Sequence, residues 1–285
     1  MKQCQVWTIA NQKGGVGKTT TTVSLAGLLA EQAYKVLLID LDPHASLSHY
    51  FTADARVNHS IFEVLIAQYP QQRLPELIQK TTFTNIDIVS GSMNLATLDG
   101  QYGQMQGMGL QLTNGIKAVV DEYDYVLIDC PPMLGVLMIN ALAACQHVVI
   151  PVQVEHLALQ GLTKMMQSLT MLETKLHKAL PSTILPTMFD KRLKASARAY
   201  QTLREEYPKN LWKGVIPVDT QFREASSQLT PINIAYPKAK GNKAYTMALM
   251  HIQHQCRPGK IRKLPNHKNT QPIDDFSNDQ GALHA

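Results

Sequence analysis

KGGVGKTT, Lys13 to Thr20, holds two lysines where a phosphate-binding loop needs one. The apolar run Val6 to Ala10 precedes it and Thr19 to Ala33 carries a helical pattern, so the loop lies where a strand turns into a helix. Gly14, Gly15 and Gly17, with Val16 among them, let backbone N–H groups curl around a polyphosphate, and the helix N-terminus adds its partial positive charge. Spacing assigns Lys18 to the β- and γ-phosphates and the Thr19 hydroxyl to Mg²⁺, with Thr20 closing the nucleotide-binding stretch. The usual loop begins with glycine at the position of Gln12, and here Lys13 stands beside it.

Two strand ends supply carboxylates. KVLLIDLDPHAS, Lys35 to Ser46, puts Asp40 at the end of an apolar strand and Asp42 at the start of a loop. Alone, such a pair could cap a helix or close a turn, since Asp-Pro is a frequent turn former. Near a polyphosphate loop, a carboxylate can position an attacking water, in a reaction where positioning and charge stabilisation supply most of the catalysis. Asp40 would then act on the Mg²⁺ shell or on the loop itself. YDYVLIDCPP, Tyr123 to Pro132, is another apolar strand ending in a carboxylate, Asp129, which would hold Mg²⁺ through water.

Short apolar runs recur along the chain: VWTIA, KVLLID, NIDIVSG, YVLID, HVVIPV, STILPTM and GVIPV. Continuous rather than alternating apolar strands need both faces dry, which implies a doubly wound α/β fold with a mostly parallel sheet and helices on both faces. Its ligand belongs at the carboxyl ends of the strands. Helices are expected at Thr19–Ala33, Gly135–Ala144, Gln160–His177, Ala195–Glu206, Gln221–Gln228 and Asn242–Gln255. Between Leu98 and Gly115, five glycines mixed with Gln and Met lower helix propensity and predict a mobile connection or a poorly formed helix. One domain over 1–256 is expected, followed by a polar tail, 257–285, whose three prolines favour disorder.

Hydrophobic residues make up 45% of the 285, ample for a core, yet no apolar run approaches the roughly 18 residues of a membrane span. The N-terminus enters a strand directly, which leaves no room for a secretory signal and predicts a cytosolic protein. Cys4, Cys130, Cys145 and Cys256 show neither a C-x-x-C nor a metal-ligand spacing and read as reduced thiols. Charge is unevenly spread. Lys191 to Lys263 holds fifteen Lys or Arg against four Asp or Glu, a net of +11, while the rest holds twelve against eighteen, a net of −6. A polyanion partner is implied, with Lys191, Arg192, Lys194, Arg198, Arg204, Arg223, Lys238, Lys240 and Lys243 as candidate contacts. Each taken singly fits a solvated helix face equally well.

Together these motifs resemble the deviant Walker A ATPases typified by ParA and Soj, whose relatives include MinD, the nitrogenase iron protein and the arsenite-pump ATPase. With the run PPMLGVLMINALAACQHVVIPVQVEHLALQGL, which carries Glu155, the resemblance spans most of the chain. It implies ATP and Mg²⁺ as cofactors and a homodimer closed around two nucleotides. Lys13 would reach the phosphates of the partner protomer, where an ammonium relieves the repulsion of two facing polyphosphates. Asp42, twenty-four residues beyond Lys18, matches the aspartate that orients the attacking water. The resemblance further implies slow hydrolysis stimulated by a ParB-like or cargo-adaptor protein, and non-specific binding of double-stranded DNA. Such a protein is cytoplasmic and nucleoid-associated and distributes a plasmid, a chromosome locus or a protein assembly.

Other implications are more local. The segment ending Ile216-Pro217 implies a loop bordering adenine at Pro217 and Asp219, although Val218 and Asp219 stand where relatives carry arginine and asparagine. The short N-terminus and the DPHAS tract resemble the ParC branch that positions chemotaxis arrays; His44 departs from the usual ParA reading. About ten residues precede the loop, too few for a helix-turn-helix. A MinD-like membrane ATPase is the alternative, opposed by a tail in which Pro258, Pro265 and Pro272 break any long amphipathic helix. A metabolic P-loop enzyme is a third reading, which no substrate motif supports.

Overall fold

The computed structural model describes residues 4–52, 59–103 and 105–256, so the expected tail lies outside the described residues. In chain order, β1 (Gln5–Ile9) passes through the glycine loop to α1 (Lys18–Glu31), β2 (Val36–Asp40) and α2 (Ser46–Phe51). Short helices α3 (Ile61–Ile66) and α4 (Pro70–Glu76) lead to β3 (Gln79–Lys80) and β4 (Ile86–Val89). A 3₁₀ turn (Met93–Thr97), α5 (Leu98–Tyr102), a second 3₁₀ turn (Met108–Leu110) and α6 (Gln111–Ile116) precede β5 (Tyr125–Asp129). Then come α7 (Val136–Ala144), β6 (His147–Gln153), α8 (His156–Leu176), β7 (Ser182–Thr187), α9 (Lys194–Glu206), α10 (Gln221–Ser227), α11 (Ile232–Ala235) and α12 (Lys240–Cys256).

The strands form one sheet in the order β3-β4-β2-β5-β1-β6-β7, parallel except for β3 at the edge. Residues of a strand alternate between two dry layers. Leu37, Ile39, Val126 and Ile128 face the layer of α3, α4 and α6 to α9, whereas Val36, Leu38, Tyr125 and Leu127 face α1, α2 and α12. Both layers are apolar, which is why the strands read as unbroken hydrophobic runs. Trp7, Tyr34 and Tyr125 lock the second layer edge to face, with ring centroids 4.9 and 5.0 Å apart.

One expectation fails. The run GVIPV is not a strand of the sheet; it follows the outer side of β7 through isolated bridges such as Phe189 to Pro217. Pro186 on β7 has no N–H to donate toward this segment, although its carbonyl still accepts Ile216 N–H at 2.8 Å, so the ladder is not continuous there. The seventh strand is instead β3, only two residues long and without an apolar pattern, its edge marked by a Lys80–Asp87 ion pair at 2.7 Å. The segment 98–115, expected as a mobile connection or a poorly formed helix, is broken among its described residues into short α and 3₁₀ turns. The cysteines form no disulfide, and Cys4, Cys130 and Cys145 are buried.

Backbone contact between α1 and α11 depends on Gly27. A methyl group there would meet Pro231 Cβ at 2.8 Å and the Asn233 carboxamide oxygen more closely still. Alanine is the better helix former by ~1 kcal/mol, but overpacking costs ~1–3 kcal/mol. Gly27→Ala is therefore expected to lower the calorimetric melting temperature by roughly 2–8 °C, and a raised one would contradict the contact.

Candidate nucleotide site

Gly15 and Gly17 have φ of +74° and +90°, a left-handed turn that ordinary side chains resist, so the loop after β1 curls back onto the start of α1. Added Cβ atoms at Gly14 and Gly15 would meet nothing within 4 Å, which leaves this face open to a polyphosphate. The loop is tied down from behind. Asn11 Nδ2 donates to Pro151 O at 2.7 Å, Lys13 N–H donates to Asn11 Oδ1 at 3.1 Å, and Thr187 Oγ1 donates to Val16 O at 2.9 Å. Lys18 is buried, with Nζ donating to Lys13 O at 3.2 Å. Burial pushes its ammonium below the ordinary lysine value, opposed by Asp129, Cys130 and Asp42.

Strand register assembles the carboxylates. Ile9 pairs with Asp129 and Asp129 with Asp40, so three adjacent strands end level and both aspartates point toward α1 and α2. Thr19 Oγ1 donates to Asp129 Oδ2 at 2.6 Å and Thr22 Oγ1 to Asp129 Oδ1 at 3.2 Å. Burial raises the Asp129 carboxyl first, and Asp40 raises it further. The adjoining Thr19 hydroxyl and Asp129 carboxylate are hard oxygen donors at the mouth of an open phosphate cradle, a set that suits Mg²⁺ completed by water and phosphate oxygens. Among the described residues no group of three His, Cys, Asp or Glu is arranged to hold a metal without such help.

Asp40 is fully engaged with the loop that follows it. Oδ1 accepts Asp42 N–H at 3.0 Å, and Oδ2 accepts Ser48 N–H at 2.8 Å and its hydroxyl at 2.7 Å. Of the two roles open to Asp40 in the sequence, these bonds supply the one on the loop. Asp42 is half-buried, with Oδ1 accepting His44 N–H at 2.9 Å. His44 itself is exposed. Asp219 accepts Gln221 N–H at 3.0 Å and Gly241 N–H at 2.9 Å, so its carboxylate ties the starts of α10 and α12 together beside Pro217. Thr22 and Ser48 went unread as site residues; Thr22, three positions after Thr19, shares its helix face and could have been found, whereas Ser48 has no sequence signal.

Lys13 Nζ forms an ion pair with Glu155, which precedes α8 in the same chain. The nine candidate polyanion contacts are all exposed, but they divide. Lys191, Arg192, Lys194, Arg198 and Arg204 lie on α9 and the turn before it, whereas Arg223, Lys238, Lys240 and Lys243 belong to the α10–α12 region, whose helix α12 packs on the opposite layer. The Arg192 guanidinium also donates twice to Asp190, at 2.9 and 2.7 Å, which offsets its charge.

The sequence matches the family model described as an AAA domain over residues 4–182. It is 34% identical over 239 residues to the sporulation initiation inhibitor protein Soj of Bacillus subtilis, covering 83% of this chain and 93% of Soj. The chain belongs to the ParA/Soj family. The chromosome partitioning protein ParA of Myxococcus xanthus is 33% identical over 257 residues, 90% of each chain. A crystal structure of cobyrinic acid a,c-diamide synthase from Mycobacterium smegmatis, with bound ATP analogue and magnesium, superposes with a TM-score of 0.76 at 27% identity, over 93% of this chain and all of that one. Its doubly wound fold is that of this family member. No helix among the described residues is long and apolar enough to cross a membrane.

Lys18 is the one buried cation of the loop, so Lys18→Ala is expected to weaken Mg-nucleotide binding by about 10- to 150-fold, the cost of a lost charge-assisted contact. Calorimetric titration with ADP and ATP would show this, and retained affinity would remove Lys18 from the phosphate site.

Proposed function

We propose that this member of the family is an ATPase that dimerises on Mg-ATP, binds double-stranded DNA without sequence preference in that state, and releases it after partner-stimulated hydrolysis. The reading rests on the loop geometry, with Lys13 and Lys18 on one open glycine turn and Thr19 joined to Asp129 at 2.6 Å. Mg-ATP would supply the reacting phosphoryl group and the cation that neutralises it. Gly14 to Thr20 would cradle the phosphates, Thr19 and Asp129 would hold the metal side, and Pro217 with Asp219 would stand near the base. Asp42, on a loop pinned by Asp40, would aim water at the terminal phosphate.

The Lys13–Glu155 pair supports a switching role for Lys13. Its side chains are 27% and 43% exposed, and ion pairs that open to solvent contribute at most about 1 kcal/mol, so the contact can be exchanged for a more highly charged partner. A triphosphate on a second protomer is such a partner. DNA would be held by phosphate contacts rather than base readout, from the two exposed basic groups on α9 and around α10–α12. The cellular work would be partition of a plasmid or chromosome locus, or positioning of a protein assembly, with a ParB-like or cargo-adaptor protein as activator and the nucleoid as the cytoplasmic track.

Asp42→Ala is expected to form ATP-dependent dimers that bind DNA yet nearly stop phosphate release; normal turnover would remove Asp42 from the mechanism. Lys13→Gln should keep ADP affinity and lose the mass doubling with ATP in light scattering, and undiminished doubling would contradict the role of Lys13. Retention on duplex DNA should require ATP rather than ADP and fall with a log-log salt slope of roughly −5 for ~6 phosphate contacts. Equal retention with either nucleotide, or a flat salt response, would count against the DNA reading.

A further inference from the structure

The glycine- and methionine-rich segment 98–115 is fastened to α7 at two points. Asp99 Oδ1 accepts the N–H of Val136, the first residue of α7, at 2.7 Å. Asn140, buried within α7, donates to Met108 O at 2.8 Å and accepts Leu112 N–H at 3.0 Å. The residue at the N-cap position of α7 is Gly135, which has no side chain with which to cap the helix. The cap therefore comes from a distant segment, and the room for it depends on glycine. A Cβ at Gly135 would lie 2.9 Å from Asp99 Cγ and closer to both carboxylate oxygens.

What this cap controls is the stretch that leaves the phosphate site. Only Cys130 to Gly135 separate Asp129 from α7. The sheet anchors the beginning of this loop, where Cys130 N–H donates to Ile9 O at 3.2 Å. Its end is set by α7, and Met133 and Leu134 between them are exposed, 71% and 41%. A carboxylate at the first turn of a helix satisfies an otherwise orphaned N–H and complements the positive end of the helix dipole. Asp99 itself sits on α5, a five-residue helix that contains Gly100 and is followed by Gly103.

We propose that Asp99 is a positioning residue for the phosphate site: by capping α7 from outside, across Gly135, it orders the loop 130–135 that links Asp129 to α7. The inference rests on the nucleotide reading above and assigns a task to the segment whose glycines set it apart in the sequence. Removal of the cap leaves the ligands Thr19, Lys18 and Asp129 in place while loosening the wall beside them. It should therefore affect turnover more than nucleotide affinity.

The test uses full-length Asp99→Ala, Asp99→Asn, Gly135→Ala and the Asp99→Ala/Gly135→Ala double variant. Amide hydrogen exchange at residues 133–137, Mg-ADP affinity and ATP turnover are measured for each. Asp99→Ala and Gly135→Ala should each speed exchange at these amides about five-fold or more and lower turnover about ten-fold, with Mg-ADP affinity within about three-fold, as expected for a lost N-cap and local opening. Asp99→Asn, which keeps an acceptor oxygen, should restore most of both. The double variant should be no worse than either single one, because both break the same contact. Unchanged exchange at 133–137 in Asp99→Ala would overturn the proposal, as would a loss spread evenly across the sheet or an equal loss of Mg-ADP affinity. A wild-type protein that binds no nucleotide would defeat the ATPase reading instead, and loop exchange would still decide the role of Asp99.

Discussion

Two buried carboxylates standing level on neighbouring strands are the constraint around which this molecule is arranged. The β1–β5–β2 register brings Asp129 and Asp40 to one side of the sheet, and neither is exposed to water. Such a pair costs free energy through desolvation and mutual repulsion unless donors and cations surround it. Each neighbour meets that demand: Thr19 and Thr22 from α1, Ser48 from α2, the backbone of Asp42, and the Lys18 ammonium nearby. Burial first, and then the neighbouring Asp40, hold the Asp129 carboxyl above its ordinary range, opposed by the Thr19 hydroxyl and the Lys18 ammonium. The start of α1, the lysine of the loop and the appetite for a hard metal thus share one electrostatic origin.

Lys13 belongs to a second, looser circuit. Its backbone is fixed by Asn11 and its Cβ lies 3.3 Å from where a Cβ on Gly161 of α8 would be, so the stem rests close against α8 while the ammonium reaches Glu155. A bound stem with an exchangeable charged tip suits a side chain that must change partners without rebuilding the loop. Lys18 is the contrast, since it is buried and directed at its own loop. The two lysines of one octapeptide therefore differ in freedom, which their identical chemistry conceals.

How much of this could be read from residues alone depended on whether the signal was local. The central strands, α1 and the glycine loop were legible because burial on both faces and the turn chemistry leave direct marks on composition. GVIPV misled because an apolar run reports burial and says nothing of hydrogen bonding, and Pro186 interrupts the ladder it seemed to continue. β3 was invisible, being two polar residues recruited to an edge by β4. α3 was overlooked although Ser60 and Glu63 mark its start, with Ser60 N–H donating to Glu63 at 3.2 Å. Within the site, the Asp40–Ser48 bonds, the Lys13–Glu155 pair and the two-helix clamp of Asp219 join residues far enough apart that only the folded chain reveals them.

The central claim is that Lys13 trades an acidic partner in its own chain for phosphate on a second one. A crystal structure of the Asp42→Ala protein with Mg-ATP tests it most directly. The account predicts a face-to-face dimer in which each Lys13 has left Glu155 and its Nζ lies about 3 Å from a phosphate oxygen of the partner's nucleotide. An ATP-loaded assembly with Lys13 still on its own Glu155, or turned into solvent, would contradict it.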